Sequence, residues 1–380
     1  MELDARLEAL RGRGREFAEA IRPYGLDLDR DPSLIHKDLG VPMLRELMTL
    51  HAPPAYRPAP LVVGKHRFDF ETTVEKVVFF TEAARGDAGF VLSAPGASLS
   101  GPIVAALGDD HQQEWFFGRL AAAPTWTFFA LTEPRGGSDA SGMTTRLTAD
   151  TERGGHVLNG VKRYIGNGAR AQIGVTFAMR GRGPLSASAV LIDAADPGFH
   201  AVPLSTIGLR GAQLSQLTFD SVHVAPERLL GAHLPATRGG LWGWLRVFNL
   251  FRPLVAGLGL GVARAAYDYV VEHRKELSPA RRDGLRWARQ EIDSVGRLTL
   301  SAAAAVDQDP SRGHLGSAAK VRAAALAERM ALYAAGCFGP GGLLDHPYLE
   351  KLVRDSRAIE FMEGTSNVQR MNIISATQRR

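Results

Sequence analysis

Apolar residues recur at helical spacing along the first third of the chain, as at Leu7 and Leu10 and at Phe17 and Ile21, with breaks at Pro53-Pro54 and at Pro58 and Pro60. This pattern predicts a helical domain over residues 1–122. The period then changes. Short apolar runs at 174–178 and 187–192 are punctuated by Gly154-Gly155, Asn159-Gly160 and Gly181-Arg182-Gly183-Pro184, which predicts an antiparallel β domain over residues 123–233. Within it, His156–Ile165 reads as two strands joined by an Asn159-Gly160 turn. Long helical patterns return in residues 234–380, with Ala-rich stretches at 301–306 and 323–335 suited to close packing in a bundle. The expected fold is α+β and multi-domain: an N-terminal helical domain, a central antiparallel β domain and a C-terminal helical bundle.

Composition narrows the function classes. A chain of 380 residues with 45% hydrophobic content can bury large cores. Its net charge of +5, from 45 basic and 40 acidic residues, suits phosphates or an acidic carrier protein and is too slight to imply nucleic-acid binding. Only 7 of the 45 basic residues are lysine, a bias of genome composition rather than of mechanism. The single Cys337 excludes an intrachain disulfide and reads as a small buried hydrophobe, and no spacing of Cys or His suggests a metal. Met1-Glu2-Leu3-Asp4 lacks the character of a secretion signal, and Arg252 and Arg264 interrupt the apolar run 245–271. A cytoplasmic protein with no membrane span is expected.

Candidate chemistry concentrates near the C-terminus. In Ile359–Arg370, Glu363 stands beside Gly364, and Ser366 with Gln369 has the spacing of a capping box, so a helix is expected to start there. Its N-terminus would suit an anionic phosphate or a polarised carbonyl oxygen, while a capped helix preceded by a solvated glutamate accounts for the same residues. A second segment, Thr127–Gly137 with Ser138-Asp139, runs from an apolar strand into a loop of glycines and hydroxyls able to meet a phosphate or a heterocycle edge.

In this order the segments resemble the acyl-CoA dehydrogenase family of flavoproteins over nearly the whole chain. Leu131-Thr132-Glu133-Pro134 with Gly137-Ser138-Asp139 is similar to the family's flavin-binding signature, and Leu158–Ile165 to the segment after it, with Tyr164 where Trp is usual. Gly208-Leu209-Arg210 and Leu217–Gly231 are similar to the end of its β domain, and Arg354-Asp355 followed by Glu363-Gly364-Thr365 to the approach to its catalytic base. The resemblance implies bound FAD and removal of two hydrogens across the α and β carbons of an acyl thioester, with Glu363 as the base and its backbone N–H on the thioester oxygen. Phe129, Leu131, Thr132, Gly137, Ser138, Tyr164, Ile165, Gly166, Arg274, Thr365 and Asn367 are implied as cofactor contacts. Ser138, Phe248, Asn249, Arg252 and Gly364 are implied on the substrate side, with Phe248–Pro253 lying just ahead of a glycine-rich helix.

The sequence also departs from the family pattern. Arg274-Lys275-Glu276-Leu277-Ser278 only partly matches the motif that reaches a neighbouring subunit's flavin, and Gly166 stands where a hydroxyl residue usually meets flavin N5. These departures point to a divergent member in a specialised pathway, its thioester carried on coenzyme A or on an acyl carrier protein. An electron-transfer partner or O2 would accept the electrons, and a homodimer or homotetramer is expected. A flavin oxidase or monooxygenase on the same fold, and a non-catalytic carrier-binding subunit, remain alternatives to the dehydrogenase.

Overall fold

The computed structural model describes residues 2–41, 44–57, 59–137 and 142–378. The N-terminal part is built on α1 (Ala5–Ile21), with α2 (Gly25–Arg30) and α3 (Leu44–Thr49) leading to a hairpin of β1 (Leu61–Val63) and β2 (His66–Phe68). That hairpin corrects the all-helical expectation: the positive φ of Gly64 turns a chain too rich in proline and β-branched residues to stay helical. Then come α4 (Thr73–Ser93), α5 (Ser100–Leu107) and α6 (Asp110–Ala122). Asp4 caps α1 through a 2.8 Å bond from the Leu7 N–H, and Phe17 stacks on Phe79 of α4 at 5.8 Å between ring centroids. A Cβ at Gly86 would stand 2.5 Å from the Ala18 backbone, so glycine sets how closely α1 and α4 pack.

The middle of the chain folds into one sheet from β3 (Thr127–Ala130), β4 (Arg146–Ala149), β5 (His156–Ile165), β6 (Ile173–Met179), β7 (Ala187–Asp193), β8 (Phe199–Pro203), β9 (Ser215–Val224) and β10 (Leu229–Leu230). Its order is β10-β7-β6-β4-β5-β9-β8, with β3 joined to β6 in parallel. The Asn159-Gly160 turn does not form. β5 is one continuous strand between β4 and β9, with a bulge at this point. Asn159 Oδ1 accepts from the Ser221 N–H at 2.8 Å, and a Cβ at Gly160 would lie 2.5 Å from Thr145 Oγ1. Partners on both edges thus outweigh the local turn preference of Asn-Gly.

The C-terminal part contains α7 (Gly240–His273), α8 (Pro279–Gln308), α9 (Gly313–Phe338), α10 (Gly342–Asp345), α11 (Pro347–Ala358) and α12 (Ser366–Thr377). Helix α7 is long and apolar enough to cross a membrane, but 72% of its most apolar window is buried inside the molecule. Phe248–Pro253 lie within α7 and not ahead of it, because Pro253 is accommodated in a buried helix, where a Cβ at Gly316 of α9 would stand 3.0 Å from its ring. Cys337 is free and buried.

Charged anchors tie α11 to the rest. Lys351, 1% exposed, lies 2.7 Å from Asp87 of α4 and 2.6 Å from Asp355, whose Oδ1 accepts from the Leu209 N–H at 2.6 Å. Arg354 pairs with Asp29 at 2.7 Å and donates to the Ile207 carbonyl at 2.8 Å. The helix that precedes Glu363 is therefore fixed to both the N-terminal helices and the loop leading into β9.

Candidate active site

Glu363 lies in the short connection between the 3-10 turn Ile359–Phe361 and α12, with φ of 46°, followed by Gly364 at 95°. Left-handed backbone at a residue with a side chain is unfavourable and persists only where its surroundings impose it. Here two fully buried side chains do so. Lys320 of α9 donates to the carbonyls of Glu360 at 2.6 Å and Gly364 at 2.9 Å. Gln369 of α12 donates to those of Glu363 at 2.7 Å and Gly364 at 3.1 Å.

The capping box expected of Ser366 and Gln369 is not present. Thr365 is the N-cap residue and makes no side-chain capping bond; Glu360 caps the helix, accepting from the Ser366 N–H at 2.7 Å and its hydroxyl at 2.5 Å. The Gln369 amide is drawn away because the left-handed turn leaves carbonyls that need a donor. Glu360, the other acid of this segment, is thereby committed to the helix start.

Glu363 is in the opposite situation. Its Oε2 is buried and has no hydrogen-bond partner. Burial raises the carboxyl to about 7 although the charges of Lys320 and Arg252 oppose the shift. Arg252, from α7, donates from Nη1 to Asn249 Oδ1 at 2.9 Å, and its Nε is buried without a partner. Burial lowers the guanidinium to about 10, against the pull of Glu363. Asn249 in turn donates to the Pro310 carbonyl at 3.0 Å.

Aromatic rings form the neighbouring wall. Phe129 of β3 lies 5.9 Å from Phe248 of α7 and 5.2 Å from Phe177, between ring centroids. The loop after β3 is held to β5. Lys162 donates to the Leu131 carbonyl and to Glu133, each at 3.0 Å, and the Arg163 N–H donates to the Thr132 carbonyl at 2.9 Å. Burial alone would raise Glu133, but Lys162 and the hydroxyls and N–H groups of Thr144 and Thr145 hold it at about 2.

The remaining candidates divide by position. Tyr164, at φ of 63°, exposes a ring with Arg163 over it, whereas the Ile165 side chain is buried in the core. A Cβ at Gly166 would meet nothing within 4 Å, so the side of the sheet beside it is open. Gly137 is exposed, and Ser138 lies outside the described residues. Asn367 is exposed and accepts from Arg370 at 3.0 Å; Arg274 ends α7 with its guanidinium 5.7 Å from the Phe338 ring. Glu363, Gly364, Arg252 and Asn249 thus form one group, and Phe129, Leu131 and Phe248 a second beside it. No hydrogen bond or ion pair among the described residues joins Thr365, Asn367 or Arg274 to the β3 loop or to Tyr164–Gly166.

Two family models match this chain, the acyl-CoA dehydrogenase middle domain over residues 128–222 and the acyl-CoA dehydrogenase C-terminal domain over 239–377. An acyl-CoA dehydrogenase of Bacillus subtilis (strain 168) is 30% identical over 75% of this chain and 76% of its own. The chain belongs to the acyl-CoA dehydrogenase family. As a member it is an oxidoreductase acting on the acyl CH–CH bond, in a family that uses FAD. Its fold matches a glutaryl-CoA dehydrogenase from Mycobacterium smegmatis in complex with FADH2, with a TM-score of 0.84 at 22% identity over 100% of this chain and 96% of the other. It also matches the prolyl acyl carrier protein oxidase AnaB, with a TM-score of 0.83 at 19% identity over 99% and 100% of the two chains.

Reading the sequence missed Lys320, which fixes the loop of Glu363, and Lys162, which fixes the loop after β3. A signal was present in both. Lys320 interrupts an Ala-rich helix, and Lys162 stands within the strand segment Val161-Lys162-Arg163-Tyr164-Ile165, in a chain that uses lysine rarely.

Proposed function

We propose that this dehydrogenase oxidises an acyl thioester at its α and β carbons with FAD, and that Glu363 takes the α-proton. The observation that carries this reading is the buried, unpartnered Oε2 of Glu363, raised to about 7 on a loop clamped from two helices. A carboxylate with free acceptor capacity and a proton affinity near neutrality is suited to abstract a carbon-bound proton. Arg252 and Lys320 keep a usable fraction of it ionised, because both oppose the upward shift from burial. The Glu363 N–H makes no backbone hydrogen bond among the described residues and is available to the thioester oxygen, where enolate charge develops.

The residues fit FAD. Open space beside Gly166, the exposed Tyr164 ring and the Phe129 wall suit a planar ring system, with Leu131, Thr132, Gly137, Ser138, Tyr164, Ile165 and Gly166 along it. Ile165 would contribute through its backbone. Thr365 and Asn367, at the start of α12, would meet the phosphate or adenosine part. When bound, FAD supplies the acceptor for the β-hydride. Phe248, Asn249, Arg252 and Gly364 would line the thioester path.

The acyl group travels on coenzyme A or an acyl carrier protein, and an electron-transfer partner or O2 accepts the electrons. The open side of Gly166 favours, as a second reading, an oxidase that admits O2 beside the cofactor. A homodimer or homotetramer is the proposed assembly, supported by exposed Phe361, Leu344, Met371 and Ile374 in the C-terminal part, near which Arg274 would reach a neighbouring subunit. The test is anaerobic bleaching of the FAD-loaded protein by acyl-CoA and acyl-carrier thioesters. Bleaching by wild type but not by Glu363→Gln is expected, and bleaching at equal rates would overturn the assignment of the base.

A further inference from the structure

Three basic side chains, His51, Arg57 and Lys76, meet beside the aromatic rings of α7, and none of them forms an ion pair among the described residues. Ser100 at the start of α5 donates to the Phe128 carbonyl of β3 at 2.6 Å, which seats α5 on the strand of Phe129. A Cβ at Gly101 would stand 2.9 Å from the His51 carbonyl, so the chain at His51 lies directly on α5. The His51 ring is 4.7 Å from Phe251, which shares one face of α7 with Phe248, three residues earlier, the ring that meets Phe129. Ala52 and Val77, neighbours in sequence of His51 and Lys76, pack in the same apolar cluster as Phe129, Leu131, Phe248 and Phe251.

The polar atoms there are unsatisfied. His51 Nδ1 and Arg57 Nη1 are buried without a hydrogen-bond partner, Arg57 using only its Nε, toward the Ala52 carbonyl at 2.7 Å. The Lys76 ammonium forms no ion pair among the described residues; burial, together with Arg57, lowers it to about 8 against the pull of Asp307, Glu75 and Glu71. Burial, with Lys76 and Arg57 nearby, keeps His51 well below its usual range. Three of the four acids nearby are otherwise engaged. Asp307 accepts from the N–H groups of Thr73 and Val74, Glu75 pairs with Arg6, and Asp69 pairs with Arg67; Glu71 is exposed. Asp307, Glu71, Glu75 and Asp69 act on Lys76 and Arg57 only through space and offset part of the cost of burial, so an anion arriving within hydrogen-bond range would still satisfy the unpartnered donors.

We propose that the acyl group of the substrate ends in a carboxylate, received by His51, Arg57 and Lys76 beside Phe251. This rests on the thioester reading above and adds to it a substrate class, the monothioesters of dicarboxylic acids. Arg57 offers a fork suited to a carboxylate, Lys76 a point charge and neutral His51 one further donor. Phe251 and Phe248 line the way for the methylenes between.

The test uses the full-length, FAD-loaded protein and redox-inert N-acetylcysteamine thioethers, which carry no phosphate of their own. Chains of equal length ending in a carboxylate or a methyl are titrated by calorimetry. At least tenfold tighter binding of the carboxylate is expected, with the ratio falling toward one in Arg57→Met and in Lys76→Met. Tighter or equal binding of the methyl ligand, no measurable binding of the carboxylate ligand, or a ratio that both variants leave intact would overturn the proposal. Flavin bleaching by thioesters is read separately. A carboxylate preference without bleaching by any thioester would sink the dehydrogenase reading while leaving the binding site standing.

Discussion

Glu133 and Glu363 each hold a carboxylate oxygen away from water, and they have opposite fates. Glu133 receives five donors, from Lys162 and from the N–H and hydroxyl of both Thr144 and Thr145, and is held at about 2. Glu363 has an oxygen with no donor and rises to about 7. Both face a buried lysine, so the charge of a neighbour does not make the difference. Satisfaction of the lone pairs does: Lys320 spends its hydrogen bonds on carbonyls of the loop, whereas Lys162 gives one to its glutamate. One carboxylate is a structural pin, and the other is kept unsatisfied for chemistry.

The largest effect should come from removing the unsatisfied one. Glu363→Gln is expected to slow flavin reduction by about two to four orders of magnitude while FAD remains bound, measured by anaerobic stopped flow. Glu360→Gln should disturb the start of α12 with a far smaller loss, and equal losses in the two variants would dissolve the distinction drawn between them.

Next in size is the pin. Glu133→Gln leaves Lys162 buried without its anion and should destabilise the fold by about 3–5 kcal/mol in chemical denaturation. Because the folded carboxyl lies below its unfolded value of 4.5, its contribution is complete above that pH and is lost as pH falls toward about 2. Wild type should therefore lose more stability than the variant between these limits.

The sign reverses at Glu363. Its folded pKa lies above the ordinary carboxyl value of 4.5, so ionising it costs stability progressively as pH rises from there to about 7. Glu363→Gln should raise the unfolding free energy of the FAD-free protein at pH 8 by about 3 kcal/mol, and leave it unchanged at pH 4. The rate of flavin reduction should follow the same ionisation upward, rising about tenfold per pH unit below 7 and levelling above it. A rate independent of pH across this window would mean that Glu363 is not the group that titrates.

The smallest effect is expected at the open edge. Gly166→Ser should fold normally, since a Cβ there meets nothing, and should slow reoxidation of the reduced flavin by O2 if that edge admits oxygen. Unchanged reoxidation would remove the observation that favours the oxidase reading.

The sequence made the order of elements legible because helix and strand periods differ sharply on either side of residues 123 and 234. It misled wherever a local preference met partners distant in the chain. Asn159-Gly160 has the chemistry of a tight turn, yet β4 and β9 pair with the strand on both edges and reduce it to a bulge. Pro253 reads as a helix start, but α7 runs through it within the core. Glu363 and Gly364 could be picked out as candidates beside an expected helix start, and the resemblance to the family implied their roles. Their supports could not, because Lys320 is more than forty residues away and acts on carbonyls, which carry no trace in the sequence.

That last point has an evolutionary side. The loop of Glu363 is gripped by its main-chain oxygens, at residues 360, 363 and 364, and not by the side chains of Phe361 or Met362. The exposed Phe361 side chain takes no part in that grip, whereas Met362 packs against the core. A lineage could therefore change the surface at 361 while Lys320 and Gln369 preserve the aim of the carboxylate, separating change of assembly from loss of reaction.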